Sequence, residues 1–305
     1  MSSKRVLDFI IIGAQKSGTT SLFRYLETHP QIYMPPEKEI PYFSDPARLA
    51  KGWDWYLDEF FGEAPADQLW GTSTPHYMTF PGVAGQIKRV LPNVKLIALL
   101  RHPIDRAYSQ FRMAVRRGYE TRTFEQAVDE LLKPEVLQEA RESPGGTNTY
   151  LTLGEYGRIL ATFYEHFAPE QITVFFASEL ENQPATVSKS IFEFLGVRAD
   201  FVPPNLGAAY HRGGTRRRLP WADYRRLKGV GFLDPLRAIW RGLVPLRNRK
   251  LFWYWLEQWN VVPDKGKETV TAAVRRRLGE HFEADGQTLS ALTGRAIPWA
   301  FHEQD

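Results

Sequence analysis

Short apolar runs rich in β-branched residues alternate along this chain with longer segments whose apolar residues recur at helical spacing. The runs 6–12, 94–100 and 172–176 predict buried strands, because apolar runs without polar alternation are typical of parallel sheets covered on both faces. Segments 83–91 and 184–195 predict two of the intervening helices. This alternation indicates βαβ units. We therefore predict an α/β protein with a three-layer, P-loop-like fold, in which helices flank a central parallel sheet.

The periodic pattern fails over residues 203–263 and returns in the amphipathic segment 270–282, which predicts a last helix. The chain contains no internal repeat and no low-complexity tract. We therefore predict one domain over residues 1–305, with a core at 6–197 and an irregular C-terminal elaboration at 198–305.

A loop bounded by Gly13 and Gly18 joins the first predicted strand to the helical pattern that includes residues 22–26. In such a strand–loop–helix unit, successive backbone amides point inward and the helix dipole favours negative charge. The loop is therefore predicted to hold a phosphate.

The residues inside this loop depart from the Walker pattern of nucleoside triphosphate enzymes. That pattern places Lys directly after the second Gly, whereas Thr19 and Thr20 follow Gly18 here and Lys16 lies within the loop. The strand 94–100 leads to Arg101 rather than to a carboxylate that would hold Mg²⁺. No metal is expected at such a site. Sulfuryl transfer fits it, since the moving group carries less charge than a phosphoryl group and Lys and amides suffice.

Two segments of the chain resemble the nucleotide-binding signatures of a known family. Residues 13–21, GAQKSGTTS, and residues 101–109, RHPIDRAYS, look like the signatures of sulfotransferases that use 3′-phosphoadenosine-5′-phosphosulfate (PAPS). The similarity runs from about residue 6 to 197 and resumes near 261. It is closest to the glycan branch, of the heparan sulfate type, and its bacterial relatives.

The resemblance implies which residues hold the donor. Lys16 would contact the bridging oxygen of the phosphosulfate, and Arg101 and Ser109 would bind the 3′-phosphate. The 5′-phosphate would lie against Ser17, Gly18, Thr19, Thr20 and Ser21. A loop at 264–269 would close over the nucleotide with Lys265, Gly266 and Lys267, where Lys267 replaces the family's Arg.

The general base is predicted among a few residues. An acceptor hydroxyl or amine must lose a proton as it attacks sulfur, so a carboxylate or a His is needed nearby. The resemblance favours Glu39, which precedes the run IPYF as in heparan-type enzymes, over Glu37. His76 is the remaining alternative. Pro41 stands where the family has a His.

The acceptor side is less defined by the sequence. Ser73 takes the position of a Lys in the relatives. The residues predicted to contact the acceptor are Trp53, Tyr56, His76 and Tyr77. The acceptor itself would be a saccharide, a glycolipid or a small natural product.

Composition limits the other possibilities. The 305 residues include no cysteine, which excludes disulfides and thiolate chemistry. The formal charge of +4 comes from dispersed Lys and Arg, so nucleic acid is not expected as a partner. The absence of cysteine and the short segment before the first strand, which leaves no room for a signal peptide, predict a bacterial cytoplasmic enzyme without stable membrane insertion. An aromatic stretch at 251–259 fits a packed helix, an acceptor wall or a membrane-contacting face.

Two other functions stay open on the sequence. One is a P-loop kinase acting on a small molecule, against which the missing Lys after Gly18 and the missing metal carboxylate argue. The other is a nucleotide-binding protein without catalysis, since Ser73 and Pro41 replace family residues near the acceptor site.

Overall fold

The computed structural model of the chain describes residues 6–208, 215–217, 261–263 and 270–301. The predicted closing loop at 264–269 and the aromatic stretch at 251–259 lie outside the described residues.

Three strands lie where the short apolar runs predicted them, at Phe9–Gly13, Lys95–Leu100 and Ile172–Phe176, and the structure adds four others. Their bounds are β1 Phe9–Gly13, β2 Ile32–Tyr33, β3 Leu69–Ser73, β4 Lys95–Leu100, β5 Ile172–Phe176, β6 Thr215–Arg217 and β7 Val261–Pro263. The first five form a sheet in the order β2-β3-β1-β4-β5, and every neighbouring pair is parallel. The last two form a separate antiparallel pair. The predicted parallel sheet is confirmed.

Helices connect these strands. Their bounds are α1 Thr19–Leu26, α2 Pro46–Leu49, α3 Trp53–Phe61, α4 Val83–Val90, α5 Pro103–Arg116, α6 Phe124–Leu131, α7 Pro134–Glu142, α8 Tyr156–Tyr164, α9 Ala177–Asn182, α10 Pro184–Leu195 and α11 Ala272–Thr293. Short 3₁₀ turns occupy Pro75–Met78, Thr152–Gly154 and Pro169–Gln171. Among these helices none is long and apolar enough to cross a membrane.

The last helix extends well beyond the predicted end at 282 and stops at Thr293. Two glycines in it explain the difference. A Cβ at Gly279 would lie 2.4 Å from the backbone oxygen of Phe301, and one at Gly286 would lie 2.6 Å from its ring. The glycines weaken the helical signal in the sequence, but they let the following segment pack closely on the helix.

The sheet is buried on both faces. Phe9 and Ile11 of β1 pack in the layer that contains α1 and α10, whereas Ile10 and Ile12 pack in the layer that contains α4 and α8. All four side chains are fully buried. This is the expected pattern for a parallel strand between two helical layers, and it confirms the three-layer architecture.

A third apolar cluster holds α5 in place. Ile104 and Phe111 of α5 pack with Phe124 of α6 and with Leu278 and Phe282 of α11. The helix that follows β4 is therefore fixed by the C-terminal helix as well as by the sheet.

A buried carboxylate links α7, α8 and α11. Glu155, at the start of α8, accepts hydrogen bonds from Arg141 at 2.7 Å and from Arg158 at 2.6 Å, and His281 lies 3.2 Å away. Burial alone would raise the pKa of Glu155, but His281, Arg141 and Arg158 outweigh it and hold that pKa at about 2. Asp285 of α11 adds a second link, because it accepts from the first amides of α8.

We expect this cluster to make folding stability depend on pH. Because the pKa of Glu155 is lower in the folded chain than its usual value of 4.5, its contribution is present above that pH and is lost as the pH falls toward 2. Between pH 5 and pH 3 the wild type should lose about 2 kcal/mol more free energy of unfolding than Glu155→Gln. Urea denaturation at a series of pH values measures this. Glu59→Gln, an exposed control, should lose as much free energy of unfolding as the wild type over this pH range. A Glu155→Gln variant that loses the same amount as the wild type would contradict the account.

Candidate active site

The loop between β1 and α1 presents backbone amides that donate to no group among the described residues. Gly18 takes a left-handed conformation with φ of 96° directly before α1, and Lys16 is also left-handed, with φ of 72°. In the part of the chain that the structure describes, the amides of Lys16, Gly18, Thr19 and Thr20 have no acceptor. Unpaired amides at a helix N-terminus bind anions. The arrangement is that of a phosphate cradle, and its 5′-phosphate role stays a prediction.

Ser17 and Ser21 differ from their neighbours in this loop. The Ser17 amide donates to the carbonyl of Ala14 at 3.2 Å, and the Ser21 amide donates to that of Gly18 at 2.9 Å. Their amides are therefore engaged within the loop.

Lys16 lies among several positive charges. Its Nζ is 3.9 Å from the Met113 sulfur of α5. Burial lowers the pKa of Lys16 to about 8, helped by the charges of Arg116, Arg117 and Arg101, while Glu39 acts in the opposite direction. An anion bound next to this lysine would favour its charged form.

Arg101 contacts the glycine loop from the end of β4. Its Nη1 lies 3.5 Å from the Lys16 carbonyl oxygen, and its own carbonyl accepts from the Tyr156 hydroxyl at 2.9 Å. Ser109 lies in the second turn of α5 and is partly buried. The two predicted 3′-phosphate residues thus come from adjoining elements, and their joint role stays a prediction.

Glu39 is held at the carboxyl end of β3. Its amide donates to the Ser73 carbonyl at 2.9 Å, and its backbone is left-handed with φ of 67°. A non-glycine residue seldom adopts that conformation, and such positions cluster at functional sites. The side chain is 43% exposed, and its Oε1 accepts from Lys38 at 2.6 Å.

The two carboxylates that are candidates for the general base, Glu39 and Glu37, influence the pKa values of different residues. The charge of Glu39 acts on Lys16 and on His76, whereas that of Glu37 acts on the buried Tyr56. Glu39 is therefore the carboxylate beside the cationic loop.

Hydrogen bonds to one carbonyl fix the segment that carries Glu39. The oxygen of Ile40 accepts from the Thr74 hydroxyl at 3.0 Å and from the Tyr77 hydroxyl at 3.0 Å. The same Tyr77 hydroxyl accepts from the Tyr42 amide at 3.1 Å. Because these groups are buried, the loop after β3 determines where Glu39 lies.

His76 contacts the glycine loop at Gln15, a residue that the sequence analysis did not identify. The Gln15 side-chain nitrogen lies 3.1 Å from His76 Nε2. Burial lowers the pKa of His76, although Glu39 partly opposes this, so the ring is neutral at physiological pH. A neutral ring nitrogen near Glu39 can accept or pass on a proton.

The other predicted acceptor residues lie in the core or next to it. Tyr56 and Tyr77 are each 1% exposed, and the partly buried Trp53 stacks on Tyr56 with ring centroids 4.8 Å apart. These rings support the segment around Glu39. Ser73 is also buried.

Two residues of the site were missed from the sequence. Gln15 carried no signal beyond its place next to Lys16. Tyr156 lies on α8, far along the chain from the glycine loop, and only the fold brings its hydroxyl beside Arg101 and Ser17.

Together, the strand, the open amide loop, the partly buried lysine and the neighbouring arginine form a candidate P-loop-like anion site within an α/β fold. The sulfotransferase domain family model matches residues 7–206, about two thirds of the 305 residues. The chain therefore belongs to the sulfotransferase domain family. The predicted family is confirmed, and it is favoured over the kinase alternative.

The chain is similar to sulfotransferases from several organisms. The membrane-associated sulfotransferase kil1 of Dictyostelium discoideum is 40% identical over 111 residues, 36% of this chain and 23% of that protein. The human bifunctional heparan sulfate N-deacetylase/N-sulfotransferase 2 is 30% identical over 203 residues, 63% of this chain and 22% of that protein. The chain thus spans less than a quarter of the length of these curated relatives.

The fold agrees with a solved structure. A sulfotransferase from Alicyclobacillus acidocaldarius superposes with a TM-score of 0.67 and 24% identity, covering 96% of this chain and 98% of that chain. This likeness supports the three-layer fold and carries no argument about substrates.

Proposed function

We propose that this protein transfers a sulfuryl group from PAPS to a hydroxyl or amine of an acceptor. One observation carries the proposal: Lys16, inside an open amide loop, is near enough to Glu39 for that carboxylate to raise its pKa. The anionic group of the donor would therefore bind at Lys16, and the proton of the acceptor would pass to Glu39, within one site.

The described residues fit an anionic nucleotide donor. Unpaired amides of the loop and the partly buried Lys16 supply positive potential at the start of α1. Arg101 supplies a planar guanidinium, which suits phosphate. When bound, PAPS would supply a sulfuryl group on a phosphate that leaves readily. We propose that further contacts to the donor come from Lys265, Gly266 and Lys267, which lie outside the described residues.

The positions of three residues support their proposed roles in the transfer. Glu39 takes a proton from the acceptor, because its carboxylate is half-exposed and lies near enough to Lys16 to influence it. Lys16 stabilises negative charge that develops on the leaving oxygen. The neutral His76, fixed by Gln15, hydrogen-bonds the acceptor.

The acceptor is proposed to be a saccharide that carries negative charge. Arg116 and Arg117, at the end of α5, act on Lys16, and Arg117 also acts on His76. These cations would attract an acidic chain, and the heparan sulfate enzymes among the relatives agree with this. A glycolipid or a small natural product remains possible for the same surface. Tyr56 and Tyr77 would act by supporting Glu39, and Trp53 would line the entrance.

The remaining proposals concern organisation. We propose that residues 1–305 form one sulfotransferase domain, supported by the family match at 7–206. A bacterial, cytoplasmic location and the absence of a nucleic-acid partner stay predictions from the sequence.

Donor binding tests the proposed function. We expect adenosine 3′,5′-bisphosphate to bind in the presence of EDTA, and ATP with Mg²⁺ to bind at least tenfold more weakly, since Arg101 would find no 3′-phosphate on ATP. Arg101→Ala should weaken bisphosphate binding by about 1.5–3 kcal/mol, the value of hydrogen bonds to a charged group. Isothermal titration calorimetry measures both, with Arg89→Ala as an exposed control. Preference for ATP with Mg²⁺ would instead favour a kinase.

The lowered pKa of Lys16 predicts a pH dependence of donor binding. Because the ammonium loses its proton as the pH rises through about 8, bisphosphate affinity should fall between pH 7 and pH 9. Lys16→Arg keeps its charge over this range, so its affinity should stay nearly constant. Titrations at constant ionic strength measure the profile. A wild-type affinity that does not change with pH would show that Lys16 does not face the anion.

The two carboxylates are distinguished by their amide variants. Glu39→Gln should lower the rate of bisphosphate release from PAPS, with de-N-sulfated heparin fragments as acceptor, by roughly 10²–10⁴-fold. Its bisphosphate affinity should stay unchanged, because the carboxylate serves the acceptor. Glu37→Gln is the matched control and should keep most activity. The reverse pattern would assign the base to Glu37.

A further inference from the structure

Arg106 is a fully buried arginine in the first turns of α5. Its side chain is 0% exposed. Nη1 donates to the Gln110 side-chain oxygen at 2.8 Å, Nη2 donates to the Tyr150 carbonyl, and Nε has no hydrogen-bond partner. Both partners are neutral. A guanidinium is almost never buried in this way without a carboxylate.

No carboxylate in the described ranges forms an ion pair with this guanidinium. Burial lowers the pKa of Arg106 to about 10; Tyr156 opposes this and Arg101 adds to it. The group therefore remains charged at physiological pH. Elsewhere in the fold, Arg141 and Arg158 are paired with the buried Glu155. Among the described residues, the charge of Arg106 is therefore left without a carboxylate partner.

The surroundings of Arg106 connect it to the donor loop. Tyr156 interacts with Arg106, donates its hydroxyl to the Arg101 carbonyl at 2.9 Å, and lies beside the Ser17 hydroxyl. Ser109, the predicted phosphate ligand, is three residues further along α5, on the same side of the helix. The buried charge thus lies within electrostatic reach of Arg101 and on the same face of α5 as Ser109, the two residues that would hold the 3′-phosphate.

We propose that Arg106 is a positioning residue for the donor, a fixed buried cation that is compensated when a phosphate dianion binds in front of it at Arg101 and Ser109. This inference rests on the proposed function. The buried position matters because charges separated by protein rather than by water interact more strongly and are screened less by salt. A guanidinium is suited to this task, since it stays protonated where a lysine would not.

A neutral variant tests the proposal. Arg106→Gln should bind adenosine 3′,5′-bisphosphate about tenfold more weakly, and the loss should be similar at 50 and 500 mM NaCl because the charge is buried. The increase in Tm on adding the bisphosphate should shrink correspondingly. The matched control is Arg141→Gln, which removes a carboxylate-paired arginine and should lower Tm without changing the affinity.

A second variant keeps the proposal testable where Arg106→Gln does not fold. In Arg106→Lys, burial should leave the lysine partly neutral in the free protein, and phosphate binding should restore its proton. Calorimetry in buffers of different ionisation enthalpy should then show more proton uptake on bisphosphate binding than in the wild type. A purely structural role would move Tm alone.

The outcomes separate the two proposals. Wild-type protein that does not bind the bisphosphate would overturn the proposed function and this inference with it. Wild-type binding together with unchanged affinity in Arg106→Gln, or with no added proton uptake in Arg106→Lys, would overturn only the role of Arg106.

Discussion

The site depends on keeping a set of backbone amides unpaired at the carboxyl edge of the sheet. Unpaired amides are costly inside a protein, and a loop free to relax would turn them toward its own carbonyls. The position of β1 prevents this, because it lies between β3 and β4 and fixes the start of the loop. The left-handed residues Lys16 and Gly18 then turn the chain into α1 with its first amides facing outward.

Charge adds a second constraint to the same place. Lys16, Arg101 and Arg106 approach one another, and burial lowers the pKa of both Lys16 and Arg106. Glu39 opposes these charges from the acceptor side, yet it is half-exposed and also paired with Lys38. Such an arrangement costs stability in the free protein. An anionic ligand would relieve that cost, so binding and stability are coupled here.

The sequence predicted the strands and helices of the protein better than the contacts between residues that lie far apart in the chain. The strands at 94–100 and 172–176 and the helix at 184–195 were found within one or two residues, because apolar runs and a closing glycine are local signals. The last helix was predicted too short, since Gly279 and Gly286 serve a contact with Phe301 that no local pattern reveals.

The same distinction explains what was found of the site. Lys16 and Arg101 follow directly from the signatures of the loop and the strand end. Tyr156 could not be found, because its link to Arg101 joins residues 55 positions apart. Tyr56 was predicted as an acceptor contact from its aromatic ring, but ring chemistry alone does not distinguish a surface from a core.

The two sides of the site differ in how firmly they are held. On the donor side, Arg106 is fully buried and Tyr156 is hydrogen-bonded to the backbone of Arg101. On the acceptor side, the backbone of Glu39 is fixed through Ile40, but its carboxylate is 43% exposed and accepts from Lys38. The carboxylate is therefore less enclosed than Arg106 and Tyr156. If Glu39 is the base, as proposed, a half-exposed carboxylate beside a buried anion site would allow one donor to serve acceptors of different shape, because only the base would have to adjust to each of them.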